Sequence, residues 1–177
     1  MPQLETLIEG CLKGRRKEQH ELYKRYSPVL LGICLRYVED KAEAEDILQE
    51  GFLKIFENIQ SYEGKGSFEG WMKSVMVNTA ITHFHKNKKH YHHEEIEDFK
   101  EEIRLNGLPD ADLDARELLK VINQMPQGYK MVFNLFAIEG YKHKEIAEKL
   151  NIDENTSKSQ FLRAKQWLIK TLEKIEK

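Results

Sequence analysis

Almost nowhere in its 177 residues does this chain alternate apolar and polar side chains in the way a β-strand requires. Prolines stand only at positions 2, 28, 109 and 126, and the long stretches between them repeat apolar residues at spacings of three and four. Such spacing lines one face of an α-helix, so the expected fold is all-α. A short amphipathic helix is expected from Pro2 to Cys11 and another over Glu18–Tyr26. A third runs through Val38, with Pro28 in its first turn, where a missing N–H does no harm. A strong helix follows over Lys41–Ile59, its apolar stripe made of Ile47, Leu48, Phe52, Ile55, Phe56 and Ile59. The loop SYEGKGS then breaks the chain, and Ser67 is placed to cap a helix reaching Lys88.

From His90 to Pro109 the periodicity fades and charge takes over. Between Glu94 and Glu117 ten acidic side chains face only Lys100, Arg104 and Arg116, a net of −7. Helical spacing resumes over Leu113–Met125, Tyr129–Ile138, His143–Leu150 and Glu154–Ile175. Two small helical domains are therefore expected, 1–92 and 112–177, joined by an acidic linker over 93–111. The whole chain carries only −2, but Ser61–His93 and the stretch from Tyr141 onward are each +3. Two basic blocks about an acidic one suggest contact with a polyanion at two places.

Several classes are disfavoured. Cys11 and Cys34 show no CxxC spacing, so a reduced cytoplasm is expected rather than a disulfide framework. No stretch approaches the roughly 20 apolar residues that span a bilayer, so no membrane insertion is expected. No nucleophile–base pair or phosphate-binding glycine loop suggests an enzyme, and neither catalytic residues nor a cofactor is expected. His83, His85, His90, His92 and His93 lack metal-ligand spacing, and no metal is expected there.

The most specific segment is GYKHKEIAEKLNIDENTSKSQFLRAKQWLIKTL, Gly140–Leu172. Ile146, Ala147 and Leu150 form an inner stripe, Ile152 plugs a tight turn, and Asp153 can cap the next helix. On that helix Phe161, Ala164, Leu168 and Leu172 face inward. Lys158, Ser159, Leu162, Arg163 and Gln166 face outward, which is what a helix-turn-helix needs in a major groove. With the preceding MPQGYKMVFNLFAIE, this stretch resembles the −35-binding domain of the sigma-70 family, especially its short extracytoplasmic-function group. The resemblance implies that Lys158, Ser159, Leu162 and Arg163 contact the −35 element. Ser157 stands where many members place an apolar residue, and the TSKSQ form resembles a variant common among Bacteroidetes members.

Upstream, AEAEDILQEGFLKIFENI sets Asp46, Gln49, Glu50 and Leu53 on one face, a polar stripe with an apolar end. It resembles the family helix that docks on the polymerase clamp, which implies polymerase contact at these four residues. The segment SYEGKGSFEGWMKSVMVNTAITHFHKNKK joins a glycine loop, an aromatic and a basic helix end, a combination suited to single-stranded DNA. It is similar to the family's −10 element. That likeness implies a loop of Tyr62, Gly64 and Lys65, a base pocket at Asn78, and phosphate contacts at His83, Lys86 and Lys88. Phe68 and Trp71 are expected to pack the domain. The implied partners are core RNA polymerase, promoter DNA and an anti-sigma protein. The alternative is a helix-turn-helix regulator that is not a sigma subunit.

Overall fold

The computed structural model describes residues 3–91 and 115–175. Among these there is no strand, and eight α-helices account for most of the chain. They are α1 (Leu4–Leu12), α2 (Arg16–Tyr37), α3 (Lys41–Asn58), α4 (Phe68–Tyr91), α5 (Ala115–Asn123), α6 (Gln127–Phe133), α7 (His143–Leu150) and α8 (Glu154–Ile175). The helices divide into two compact units, Met1–His83 and Phe84–Lys177, with the division inside α4. The acidic stretch 93–111 lies outside the described residues, as do His92 and His93.

In the first unit the expected break before Pro28 is absent. One helix runs from Arg16 to Tyr37 with Pro28 inside it. Lys24, Pro28 and Val29 share the exposed side, so the carbonyl that loses its donor is on the solvent face. On the other side Leu22, Tyr26, Leu30, Ile33, Cys34 and Tyr37 form an unbroken buried stripe. An interior proline costs about 3 kcal/mol. Six buried side chains at about 1.5–3 kcal/mol each outweigh that.

The Asp40 carboxylate caps α3 by accepting the Glu43 N–H at 2.8 Å. Ala44, Ile47, Leu48, Phe52 and Ile55 line its buried face, close to the stripe the spacing predicts. Phe56 is only half-buried and meets Phe52 at a tilt, ring centroids 5.9 Å apart. Gly51 of α3 lies against Met76 of α4, where a Cβ would stand 2.4 Å from Sδ of that buried side chain and would have to displace its end. At the start of α4, Ser67 caps as expected, its Oγ accepting the Gly70 N–H at 3.0 Å. Cys11 and Cys34 are buried free thiols in this unit. Burial pushes them up, to about 11 and about 12 respectively.

The second unit packs Val121 of α5, Met125 of the turn after it, Tyr129 near the start of α6, and Ala164, Leu168 and Leu172 of α8 into one core. The helix expected over Tyr129–Ile138 begins earlier, at Gln127, and its last turn, Asn134–Ile138, is π-helical. There the Glu139 N–H reaches back to the Asn134 carbonyl at 2.9 Å, and Gly140 at φ 79° ends the turn. Buried Lys130 places its ammonium on the Asn123 carbonyl at the end of α5, at 3.1 Å, where the helix dipole favours a cation. Helix α7 starts with the Lys142 N–H donating to the Glu145 carboxylate at 2.7 Å. It ends at Asn151, left-handed at φ 54°, while the Ile152 N–H donates to the Ala147 carbonyl at 3.0 Å. Three residues later α8 has begun, completing a helix-turn-helix.

Candidate nucleic-acid interface

Helix α8 presents two unlike faces. Ala164, Leu168 and Leu172 are buried and Phe161 half-buried, as the spacing predicts. Lys158, Ser159, Leu162 and Arg163 are all exposed on the side away from the core. The Lys158 ammonium lies 2.7 Å from the Glu154 carboxylate one turn earlier, which holds Glu154 below the usual carboxylate range. Ser159 Oγ donates to the Thr156 carbonyl at 3.0 Å. Leu162 leaves 43% of its surface to water, an apolar side chain between two cations. Such a face can offer donors to phosphates and base edges, and a methyl contact to thymine.

Ser157, the residue that departs from the family pattern, is fully buried at the start of this helix. Its hydroxyl is satisfied: His143 Nδ1 stands 3.0 Å from Ser157 Oγ. Burial, and then the Lys158 charge, push the His143 imidazole below its ordinary value. Sequence spacing passed over His143. A hydroxyl on the inward stripe of α8 was the signal, since it requires a polar partner from the helix packed against it.

On α3 the structure brings the predicted stripe onto one open face. Asp46 and Gln49 are exposed, Glu50 is half-buried, and Leu53 leaves 63% of its surface to water. The Glu50 carboxylate pairs with Lys54 at 2.8 Å. An exposed leucine at the end of a polar stripe is the kind of side chain a partner surface covers.

The loop before α4 holds Tyr62, Gly64 and Lys65 together. Tyr62 is half-buried, and its hydroxyl donates to the Gly66 carbonyl at 2.8 Å. Its ring meets Phe68 edge-on at 5.1 Å and Trp71 at 5.9 Å. Phe68 is buried, as expected of a packing residue, and Trp71 is half-buried. Gly64 adopts φ 73°, and Lys65 sits 2.5 Å from the Glu63 carboxylate. On α4 Asn78 and Lys86 are exposed and Lys88 is half-buried. His83 is half-buried, its Nε2 2.5 Å from Glu43 Oε1 in the first turn of α3. Thr79, which the spacing did not single out, is buried beside Asn78. It donates to the Val75 carbonyl at 2.8 Å and stands 3.5 Å from the Lys54 ammonium.

An all-helical chain with a helix-turn-helix in one unit, its second helix cationic and outward-facing, defines a DNA-binding protein of the transcription class. Comparison with known proteins narrows the class. The profile of Sigma-70 region 2 matches residues 22–90, and that of Sigma-70 region 4 matches residues 115–168. The chain is 27% identical over 175 residues to the sigma-E factor of Haemophilus influenzae, covering 93% of this chain and 92% of that protein. It is 27% identical over 176 residues to the sigma factor SigW of Bacillus subtilis, covering 93% and 94%. The fold is similar to that of a Bartonella quintana sigma factor solved in complex with the anti-sigma factor NepR. The TM-score is 0.53 at 18% identity, over 89% of this chain and 98% of that one. The chain belongs to the sigma-70 family, in its extracytoplasmic-function group. The region 2 match over the first unit disfavours a helix-turn-helix regulator that is not a sigma subunit. Among the described residues no helix is long and apolar enough to cross a membrane.

Proposed function

We propose that this sigma factor binds core RNA polymerase through α3, opens promoter DNA at the −10 element with the loop and helix that follow, and holds the −35 element with α8. The observation that carries this is the pairing of region 2 and region 4 on one chain, each with an open polar face backed by a packed core. Asp46, Gln49, Glu50 and Leu53 supply the polymerase contact, with Leu53 as its apolar anchor. Tyr62, Gly64 and Lys65 border an extruded base, Asn78 offers it both donor and acceptor, and Lys86 and Lys88 meet phosphates. His83, which also bonds Glu43, meets phosphate beside them. Lys158, Ser159, Leu162 and Arg163 read the −35 duplex. The functional domains are 1–92 and 112–177, with 93–111 between them.

The chain works as a binding subunit without chemistry of its own, in the cytoplasm, where polymerase and promoters are. An anti-sigma protein that masks the polymerase-binding surface is the fitting regulator; the Bartonella sigma factor was solved in complex with an anti-sigma factor. Run-off transcription with core polymerase on genomic fragments tests the proposal. Specific transcripts that require the added chain are expected; binding of DNA with no transcript under any condition would reject it. Permanganate footprinting separates the steps: Asn78→Ala retains assembly and −35 binding while −10 opening falls.

A further inference from the structure

Ser157 lies one residue before Lys158 and two before Ser159, on the buried side of α8. Its backbone N–H already serves the helix, donating to the Asp153 carbonyl at 3.0 Å. Its hydroxyl, fully out of solvent, needs a separate partner, because an unsatisfied buried hydroxyl costs more than a bond to it gains. That partner is His143, the first residue of α7, with Nδ1 at 3.0 Å.

The ring that supplies the nitrogen is held from two sides. It stacks on Phe136 of the π-helical turn with centroids 4.3 Å apart and planes at 14°. It meets Phe161 of α8 edge-on at 5.9 Å, and Phe161 stands 4.5 Å from Phe136. Tilting the ring away from Ser157 would break the stack, and a half-turn within it would set a C–H against the hydroxyl in place of Nδ1. One side-chain bond thus ties the first turn of α8 to the first turn of α7, across the helix-turn-helix.

We infer that His143 is the positioning residue of the recognition helix: its bond to Ser157 fixes the start of α8 and so aims Lys158 and Ser159 at the base edges. This rests on the proposal that α8 enters the −35 duplex. Base readout needs side chains held within about 0.5 Å of the productive geometry, which a loose helix start does not provide. The neutral imidazole shares one proton with the hydroxyl, in either direction. Protonation forces Nδ1 to donate and sets a cation near Lys158, with Glu154 the opposing charge on the same helix; Phe136 and Phe161 bring none. Burial and Lys158 favour the neutral ring, so the arrangement is most stable at neutral pH and weakens as pH falls below the ordinary histidine value of about 6.5.

The test uses the full chain assembled with core RNA polymerase and a random-sequence duplex library, sequenced after selection, with −10 enrichment as the internal control. His143→Phe keeps the aromatic stack but strands the hydroxyl. It is expected to lower −35 enrichment about tenfold, leaving the −10 segment unchanged. Adding Ser157→Ala removes the stranded group but not the need for the bond, so the double variant is expected to stay below wild type in −35 enrichment and to give a flat profile from pH 7.5 to 5.5. Wild type is expected to lose −35 enrichment over the same range. Should His143→Phe unfold the second unit, Ser157→Ala alone decides, because it deletes only the hydroxyl and is expected to lower −35 enrichment. Wild-type enrichment from His143→Phe, from Ser157→Ala or from the double variant overturns the inference. A wild-type chain that enriches no −35 segment defeats the sigma reading itself, and the inference with it.

Discussion

Helices α3 and α8 are built alike and charged unlike. Each buries one apolar stripe against its own unit and leaves the opposite stripe to water. On α3 that open stripe is Asp46, Gln49, Glu50 and Leu53; on α8 it is Lys158, Ser159, Leu162 and Arg163. Packing makes both helices stable, and in the proposed function the sign of the open face suits one to a protein surface and the other to phosphate. The buried sides differ too. That of α3 contains only apolar side chains and Gly51, whereas that of α8 includes the hydroxyl of Ser157 and depends on a partner from α7.

The division of labour is tested most severely by Asp46→Ala combined with Glu50→Ala. Core-polymerase affinity is expected to fall by about 2–5 kcal/mol, the scale of truncated interface charge pairs, with −35 duplex binding untouched. Unchanged polymerase affinity in a titration would remove α3 as the docking face. Arg163→Ala is the mirror experiment. It is expected to weaken −35 binding by about 1–3 kcal/mol if the guanidinium reads a base, and to leave polymerase affinity intact. A loss of polymerase affinity instead would end the comparison.

Two smaller effects probe the scaffold of α3. Gly51→Val drives methyl groups into Met76, and overpacking of this kind is expected to lower stability by about 2 kcal/mol in a thermal or denaturant melt. Asp40→Ala removes the cap on Glu43 and is expected to cost about 1 kcal/mol in the same measurement. Either change should leave −35 duplex binding unaltered at temperatures where the first unit stays folded.

What the sequence displayed and what it hid follow the same contrast. Periodicity shows any feature confined to one helix. The outward set Asp46, Gln49 and Leu53 and the inward set Ala164, Leu168 and Leu172 stand where spacing puts them. Pro28 misled because a local rule about a missing N–H was overridden by six buried side chains along α2. The π-helical turn at Asn134–Ile138 was hidden because it shifts hydrogen bonds by one residue without disturbing the apolar pattern. His143 and Ser157 meet across 14 residues with no shared period, and His83 meets Glu43 across 40. Contacts of that kind appear only once helices have packed.

The two buried thiols give the first unit a built-in clock. Alkylating reagents attack thiolate, and burial keeps Cys11 and Cys34 both protonated and covered. The chain has no other cysteine, and neither of these lies beyond residue 34. The rate at which a native sample takes up label therefore times the opening of the first unit alone, and the second unit is silent in the same tube. A bound polymerase or anti-sigma partner that clamps the first unit should slow that clock. A duplex held only by α8 should leave it ticking at its free rate.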